Sequence, residues 1–209
     1  MHIALSGGNT PQLWFARLAG EYSRDINWPR LHFYWVDERY VPHDAPESNY
    51  GVARKILFDK VPVPAGNLHP VPVSGNIEND VKAYEEEIAG HVPYAGALPV
   101  FDLLLLGMGT DGHTASIFPG QLDLFDPQAA PVVVSVHPQT KQQRVTLTGP
   151  VINHAKKIYL MVTGENKARL LKDIFENESI KDNYPVSHVR IPDVEWLIDQ
   201  PAAKLLLQK

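Results

Sequence analysis

The residues best suited to acid–base chemistry are Asp111 and His113, which lie together in a glycine-rich turn. The turn follows the largely apolar run 101–106, which is long enough to form one strand buried on both faces of a sheet. Ligands of open α/β sheets bind at the carboxyl ends of the strands, where this turn would lie. His113 could therefore transfer a proton near neutral pH, with Asp111 orienting its ring. An ordinary turn with a partly buried, hydrogen-bonded histidine is the alternative that this motif alone leaves open.

A second group of small polar residues precedes the first predicted helix. Ser6, Gly7, Gly8 and Thr10 follow a short predicted strand, and the helix begins near Gln12. In such a turn, backbone N–H groups, two hydroxyl groups and the positive end of the helix dipole can surround a phosphate-sized anion. The segment is neither a Walker A loop nor a GxGxxG motif, so a tight turn with a helix cap explains it equally well.

Charged residues stand at two further strand ends. Asp37, Glu38 and Arg39 follow the β-rich run 31–36, and burying such charges is costly unless they are paired or used. Arg39 suits bidentate contact with a phosphate or carboxylate. Lys167 lies in the first turn of a predicted helix, where the helix dipole disfavours a cation, so a functional role is plausible. Surface ion pairs are the alternative for both cations, with Glu165 as the partner of Lys167.

Strands and helices alternate along the chain, which predicts an α/β fold with a mostly parallel, twisted sheet covered by helices on both faces. No linker is evident, so residues 1–209 are interpreted as a single domain, with 62–100 as a subsidiary helical flap. The predicted strands are 2–5, 31–36, 102–106, 131–136, 144–147 and 157–162. The predicted helices are 12–21, 47–58, 79–89, 150–155 and one from the 163–167 turn to 175. The apolar stripe expected for the first helix consists of Leu13, Phe15, Ala16, Leu18 and Ala19.

Composition excludes several classes of function. The net charge of −5 argues against a nucleic-acid partner, and any anionic ligand must be held by local cations against the overall field. No apolar stretch approaches the roughly 20 residues that span a bilayer, and no signal-peptide pattern is present, so no membrane partner is expected. The chain has no cysteine, which excludes disulfides and a cysteine nucleophile and fits a cytoplasmic location.

The sequence contains no motif typical of covalent or metal-dependent catalysis. No serine stands in a GxSxG elbow, and no histidine shows a metal-ligand spacing such as HExxH. The histidines other than His113 are interpreted mostly as surface or loop residues. We therefore expect no metal and no cofactor. The candidate residues converge on one general base and several cations that hold an anion.

Three motifs carry a resemblance to a known family: 5–11 (LSGGNTP), 35–42 (WVDERYVP) with 47–50, and 107–120 (GMGTDGHTASIFPG). Further matching segments are 144–148, 162–168 and 196–199. In this order, and over nearly its whole length, the chain resembles the 6-phosphogluconolactonase family. The resemblance implies a Rossmann-like fold and hydrolysis of 6-phosphoglucono-1,5-lactone to 6-phosphogluconate in the pentose phosphate pathway.

The resemblance also implies roles for individual residues. His113 would be the catalytic base that activates water, with an oxyanion stabilised by backbone N–H groups of a glycine-rich turn or by Arg39. The turn formed by Ser6, Gly7 and Gly8 would serve the anionic substrate together with Arg39 and Lys167. The remaining residues expected to line the site are Thr10, Asp37 and Arg144.

Two rival functions belong to the same fold. Glucosamine-6-phosphate deaminases carry a glutamate five residues after the motif histidine, and this chain has Phe118 there, which cannot shuttle a proton. Asp37 matches the aspartate that abstracts a carbon-bound proton in the deaminases, and here we expect it to line the site. A non-catalytic phosphosugar-binding domain normally accompanies a DNA-binding domain, and none is evident in this sequence.

One departure from the family concerns the amino terminus. Family members usually begin with an additional strand and helix before the turn at Ser6, whereas this chain begins almost at that turn. We expect apolar surface to be exposed where that segment would pack. Either the chain is a shortened form, or a partner subunit covers the gap in a homo-oligomer.

Overall fold

A computed structural model describes residues 1–207. Its strands are β1 (His2–Leu5), β2 (His32–Trp35), β3 (Asp37–Arg39), β4 (Leu68–His69), β5 (Tyr94–Ala95), β6 (Leu98–Pro99), β7 (Leu103–Gly107), β8 (Val132–Val136), β9 (Gln143–Leu147), β10 (Ile158–Val162) and β11 (Val194–Ile198). Its α-helices are α1 (Asn9–Gly20), α2 (Asn49–Ile56), α3 (Ile77–His91), α4 (Gly149–Ile152), α5 (Ala168–Glu176) and α6 (Gln200–Ala203). None of these helices is long and apolar enough to cross a membrane.

The central sheet has six strands in the order β11-β10-β7-β1-β2-β4, and every neighbouring pair runs parallel. Helices pack around it, which confirms the predicted α/β fold class. In the central strand β7, Leu104, Leu105 and Leu106 are at most 4% exposed. Strands of a parallel sheet are buried on both faces, and burying one such leucine side chain stabilises the folded state by about 1.5–3 kcal/mol. The edge strand β11 has no counterpart among the predicted strands.

A second, antiparallel sheet has the order β3-β9-β8. The predicted strands 131–136 and 144–147 are thus present, but they pair with each other as a hairpin outside the parallel sheet. The charged segment Asp37–Arg39 is itself a strand, and it pairs Arg39 with Arg144 and Asp37 with Thr146. The antiparallel sheet therefore brings two arginines from distant parts of the chain side by side.

Two expectations about helices are wrong. The segment 62–100 is not a separate flap, because β4 extends the central sheet and Tyr84 of α3 is buried in the core. On α1, Leu13 is 68% exposed, whereas Pro11 and Phe15 are buried. Positions 11, 15 and 18 share one face of a helix, and position 13 points the opposite way.

The Tyr84 hydroxyl group joins α3 to the central sheet. It accepts the N–H of Trp35 and donates to the Trp35 carbonyl, both at 2.8 Å. The substitution Tyr84→Phe removes both bonds in a buried environment, and we expect the free energy of unfolding to fall by about 1–3 kcal/mol. Urea denaturation measures this loss. The exposed Tyr94 supplies the control: Tyr94→Phe should change stability by less than about 0.5 kcal/mol, and an equal loss in both variants would contradict the assigned role.

Candidate active site

A cleft of about 400 Å³ opens where β1, β7 and β10 end. Segments 6–11, 107–109 and 163–167, which border these three adjacent strands, supply much of its wall. The antiparallel sheet, the turn that carries His113, and Asn49 of α2 supply further parts. The structure places nine of the predicted site residues on that wall: Ser6, Gly7, Gly8, Thr10, Asp37, Arg39, His113, Arg144 and Lys167. Asp111 contacts His113 directly.

The Asp111–His113 pair is built by the turn after β7. Asp111 Oδ1 lies 2.6 Å from His113 Nδ1 and also accepts the backbone N–H of His113 at 3.2 Å. A Cβ at position 109 would lie 2.1 Å from His113 Nδ1, so only glycine allows the ring to occupy this place. Thr114 anchors the turn to the strand by donating its hydroxyl proton to the carbonyl of Gly107 at 2.9 Å.

The charge state of Asp111 determines which imidazole nitrogen is free. Partial burial alone would raise the pKa of Asp111, but the hydrogen bond and charge of His113, with backbone N–H donors, more than offset it and lower the pKa to about 2. Asp111 is therefore ionised at neutral pH and can only accept. The short bond consequently requires a proton on His113 Nδ1, so in the neutral imidazole Nε2 carries the lone pair and is the basic atom.

The turn at the start of α1 offers unused donors. Gly8 caps the helix with φ +98°, a conformation that glycine adopts without strain, and no side chain of residues 1–207 caps the first-turn N–H groups. The buried Ser6 Oγ has no hydrogen-bond partner among residues 1–207. Thr10 Oγ1 is bonded to Thr163 Oγ1 at 2.6 Å, which ties this turn to the turn after β10.

Arg39 and Arg144 extend from paired positions of the antiparallel sheet. Arg39 Nη1 donates to the carbonyl of Glu47 at 2.7 Å, and Arg144 Nη1 donates to Ser116 Oγ at 3.3 Å. The buried Nε atoms of both arginines lack a partner within the described chain. Burial lowers the pKa of Arg144 against the opposing effect of Asp37, but a guanidinium stays charged at neutral pH. Each guanidinium keeps donor capacity for a ligand.

Lys167 and Asp37 complete the charged wall. Lys167 forms no ion pair with any residue from 1 to 207. The alternative of a surface ion pair with Glu165 is therefore wrong, and Glu165 pairs with Lys204. Burial lowers the pKa of Lys167, and the charge of Asp111 opposes this shift. The Asp37 carboxylate is held by protein groups, because Ser116 Oγ donates to it at 2.7 Å and Arg144 Nη1 lies 3.9 Å away.

Glu38 belongs to the charged segment that the sequence indicates, but its role as a support of the cleft was not predicted. Its side chain is buried, and its two carboxyl oxygens accept the backbone N–H groups of Arg39, Asn49 and Tyr50 at 2.7–2.8 Å and the hydroxyl of Ser48 at 3.2 Å. Burial raises the pKa of Glu38 to about 7, although the backbone donors act in the opposite direction. Glu38 thereby joins β3 to the first turn of α2 and positions two cleft residues.

The sequence analysis did not predict several other residues of the cleft. Asn49 donates from Nδ2 to the Asp37 carbonyl at 2.8 Å, and a Cβ at Gly7 would lie 1.8 Å from Asn49 Oδ1. Its only sequence signal is its place in the 47–50 segment of the family resemblance. The remaining unpredicted residues of the wall are Asn9, Pro11, Met108, Ala115, Met161, Thr163 and Asn166.

Three of the other histidines are exceptions to the interpretation that most of them are surface or loop residues. His2 and His32 are strand residues, and His69 of β4 is only 3% exposed. Aromatic packing explains the burial of His69, because its ring lies parallel to that of Tyr34 with 4.4 Å between centroids.

The match to a family model confirms the class of protein. Residues 1–198 match the model described as glucosamine-6-phosphate isomerases/6-phosphogluconolactonase, so the chain belongs to this family. A 6-phosphogluconolactonase of Haemophilus influenzae is 42% identical over 209 residues, which cover 99% of this chain and 88% of that protein. The solved 6-phosphogluconolactonase of Trypanosoma brucei superimposes with a TM-score of 0.86 and is 31% identical in sequence. The match covers 98% of this chain and 85% of that protein's chain.

The fold is also shared with a second enzyme class. A solved monomeric glucosamine-6-phosphate deaminase matches with a TM-score of 0.81 over 98% of this chain and 87% of its own, at 21% identity. At that identity the match describes the fold alone. The choice between the two chemistries therefore depends on site residues.

The variant Glu38→Gln tests the support beneath the cleft. Every described partner of Glu38 is a hydrogen-bond donor. Replacing one carboxyl oxygen by an NH₂ group therefore places two donors in contact and leaves both without an acceptor in the protein interior. We expect the free energy of unfolding to fall by about 1–3 kcal/mol and the KM for substrate to rise. Chemical denaturation and steady-state kinetics measure the two effects. Glu47→Gln, on an exposed neighbour, is the control, and a fully stable Glu38→Gln protein would refute the role.

Proposed function

We propose that this chain hydrolyses 6-phosphoglucono-1,5-lactone to 6-phosphogluconate by general-base activation of water. The observation that carries the proposal is the 2.6 Å contact between Asp111 and His113, which leaves Nε2 of a cleft histidine as the base. Relatives called 6-phosphogluconolactonase, 42% identical over almost the whole chain, support the choice of substrate.

The reaction needs two proton transfers, one from water to the base and one from the base to the leaving ring oxygen. His113 Nε2 takes a proton from water while the water oxygen attacks the lactone carbonyl carbon. Backbone N–H groups of a glycine-rich turn stabilise the oxyanion of the tetrahedral intermediate. When this intermediate collapses, the bond to the ring oxygen breaks and the imidazolium protonates that oxygen. Asp111 stabilises the imidazolium in between, and His113 returns to its neutral state.

Groups that remain unpaired within the protein suit the phosphate and hydroxyl groups of the substrate. In the described chain, three of the four buried side-chain atoms without a hydrogen-bond partner belong to cleft residues, namely Ser6, Arg39 and Arg144. Considering residues 1–207 alone, Lys167 adds a cation without an ion pair, and the first turn of α1 adds N–H groups that no side chain caps. These groups position the lactone for attack, which is a major part of the rate enhancement in such reactions.

Phe118 disfavours the deaminase alternative. Its ring is fully buried, lies 4.8 Å from the His113 ring between centroids, and has the Arg144 guanidinium 5.5 Å from its centre. A phenyl ring carries no proton to exchange, whereas opening an amino sugar requires a second acid near the base. Lactone hydrolysis needs only the base and a positioned water.

The setting of the reaction follows from the pathway. We propose a cytoplasmic location, which the absence of cysteine from the sequence fits. No nucleic-acid partner is proposed, because the net charge is −5. Assembly into a homo-oligomer and the single-domain organisation stay predictions, which sedimentation and limited proteolysis would test.

Loss of the base should abolish most turnover. We expect His113→Ala to lower kcat by about 10²- to 10⁴-fold, because general-base catalysis supplies a factor of that size. A pH-stat assay on freshly made lactone, corrected for spontaneous hydrolysis, measures the acid released. His154→Ala, outside the cleft, is the matched control and should keep the wild-type rate. Near-wild-type turnover by a folded His113→Ala protein would remove the residue from the mechanism.

Loss of a cleft cation should weaken substrate binding more than chemistry. We expect Lys167→Ala and Arg39→Ala each to raise KM by about 10- to 100-fold, the usual effect of losing a hydrogen bond to a charged group. The same pH-stat assay, run over a range of lactone concentrations, separates KM from kcat. Arg169→Ala removes a highly exposed cation close to Lys167 and should leave KM unchanged. An unchanged KM in both cleft variants would exclude them from the anion site.

A further inference from the structure

Three metal-ligand side chains meet where β4 packs against α3. His69 Nδ1 lies 2.6 Å from Glu87 Oε1, and His91 Nδ1 lies 3.5 Å from the same oxygen. One ligand atom from each residue can be chosen so that all three lie within 4.8 Å of one another. Glu87 and His91 are four residues apart, which places them on one face of α3.

The ring of His69 is held in place before any ion binds. It is buried, it stacks on Tyr34, and its Nε2 lies 3.0 Å from His32 Nδ1. Protein sites for metals commonly fix a ligating histidine in this way, through a hydrogen bond to its other ring nitrogen. Glu87 and His91 are about two-fifths exposed, so an ion can enter from solvent.

We propose that His69, Glu87 and His91 form a binding site for a divalent transition-metal ion, with Zn²⁺ as the best-fitting ion. Two imidazoles and one carboxylate are ligands that Zn²⁺ accepts, and water would occupy the fourth position. Ligand atoms around a tetrahedral Zn²⁺ ion stand about 3.3 Å apart, given metal–ligand bonds of about 2.0–2.1 Å. The distances of 2.6 and 3.5 Å to Glu87 Oε1 lie on either side of that value.

The ion would replace contacts that exist without it. His91 Nδ1 donates to the Glu87 carbonyl at 2.9 Å, so binding of the ion through this nitrogen breaks that bond and requires the other tautomer of the ring. In exchange, the ion would link the edge strand β4 to α3. Binding would therefore stabilise the folded chain, because an ion held jointly by a strand and a helix has little affinity for the unfolded state.

The site is distinct from the catalytic cleft. The cleft lies where β1 and β7 end, whereas His32 stands at the first position of β2 and pairs with His2, the first residue of β1. None of His69, Glu87 and His91 lines the cleft. The proposal thus stands or falls independently of the lactonase assignment.

Isothermal titration of the chelator-treated chain with ZnCl₂ tests the proposal. We expect His91→Ala and Glu87→Gln each to weaken Zn²⁺ binding by about tenfold or more, because loss of even an outer-sphere partner commonly has that effect. His154→Ala, a histidine outside the cluster, should bind Zn²⁺ as the wild type does. Absence of binding to the wild type, or binding that neither cluster variant weakens, would overturn the proposal.

A second measurement separates this site from Zn²⁺ adsorbed at the cleft. Thermal unfolding with Zn²⁺ at about 100 times its Kd should raise the wild-type Tm by about 5–10 °C, and the rise should persist in His113→Ala but vanish in His91→Ala. His91 is exposed, so its replacement leaves the fold intact. A Tm rise that disappears with His113→Ala and survives in His91→Ala would assign the ion to the cleft and refute the proposal.

Discussion

The hydrogen bond between Asp111 Oδ1 and His113 Nδ1, 2.6 Å long, is the constraint on which the candidate chemistry depends. An ionised Asp111 accepts only, so the bond determines both the tautomer and the direction of the His113 ring. The turn permits it because Gly109 has no Cβ to occupy the same space, and because Thr114 ties the turn back to β7. The parallel sheet then determines which other groups His113 meets, since β1 and β10 flank β7.

The cleft is costly for the fold considered by itself. Buried polar atoms without a partner typically destabilise a protein by about 1–3 kcal/mol each, and Ser6, Arg39 and Arg144 all carry one. These groups also gather positive charge in a chain whose net charge is −5. A ligand rich in oxygen atoms and negative charge would offset both costs at once. Local unsatisfied donors, rather than the overall field, therefore favour an anionic substrate here.

Much of the fold could be predicted because short-range patterns determine it. Apolar runs predict the parallel strands 2–5, 31–36, 102–106 and 157–162, since only strands buried on both faces tolerate such runs. The pairing of β3 with β9 could not be predicted, because it depends on register between residues more than 100 positions apart. For the same reason 62–100 resembles a detachable flap until the bonds of Tyr84 to Trp35 are known.

The site residues likewise fall into two groups: those that local sequence predicts, and those that depend on long-range packing. Residues in the turns after parallel strands, such as Ser6 and His113, could be placed on the cleft wall because the carboxyl ends of these strands meet at one edge. Glu38 could not, because a buried carboxylate is recognisable only once its four donors are assembled. The cluster of His69, Glu87 and His91 was hidden in the same way: the sequence separates the two histidines, and the packing of α3 on β4 unites them.

A fold common to lactonases and a deaminase leaves the reaction to individual positions, and Phe118 is the position with the clearest consequence. Its ring packs against His113 and under the Arg144 guanidinium, in the interior of the site wall. An acid there would face Arg144 and pair with it, whereas the phenyl ring leaves the guanidinium free to donate elsewhere. The apolar residue thus acts twice: it withholds a second proton carrier from the imidazole, and it keeps Arg144 available to an anionic ligand.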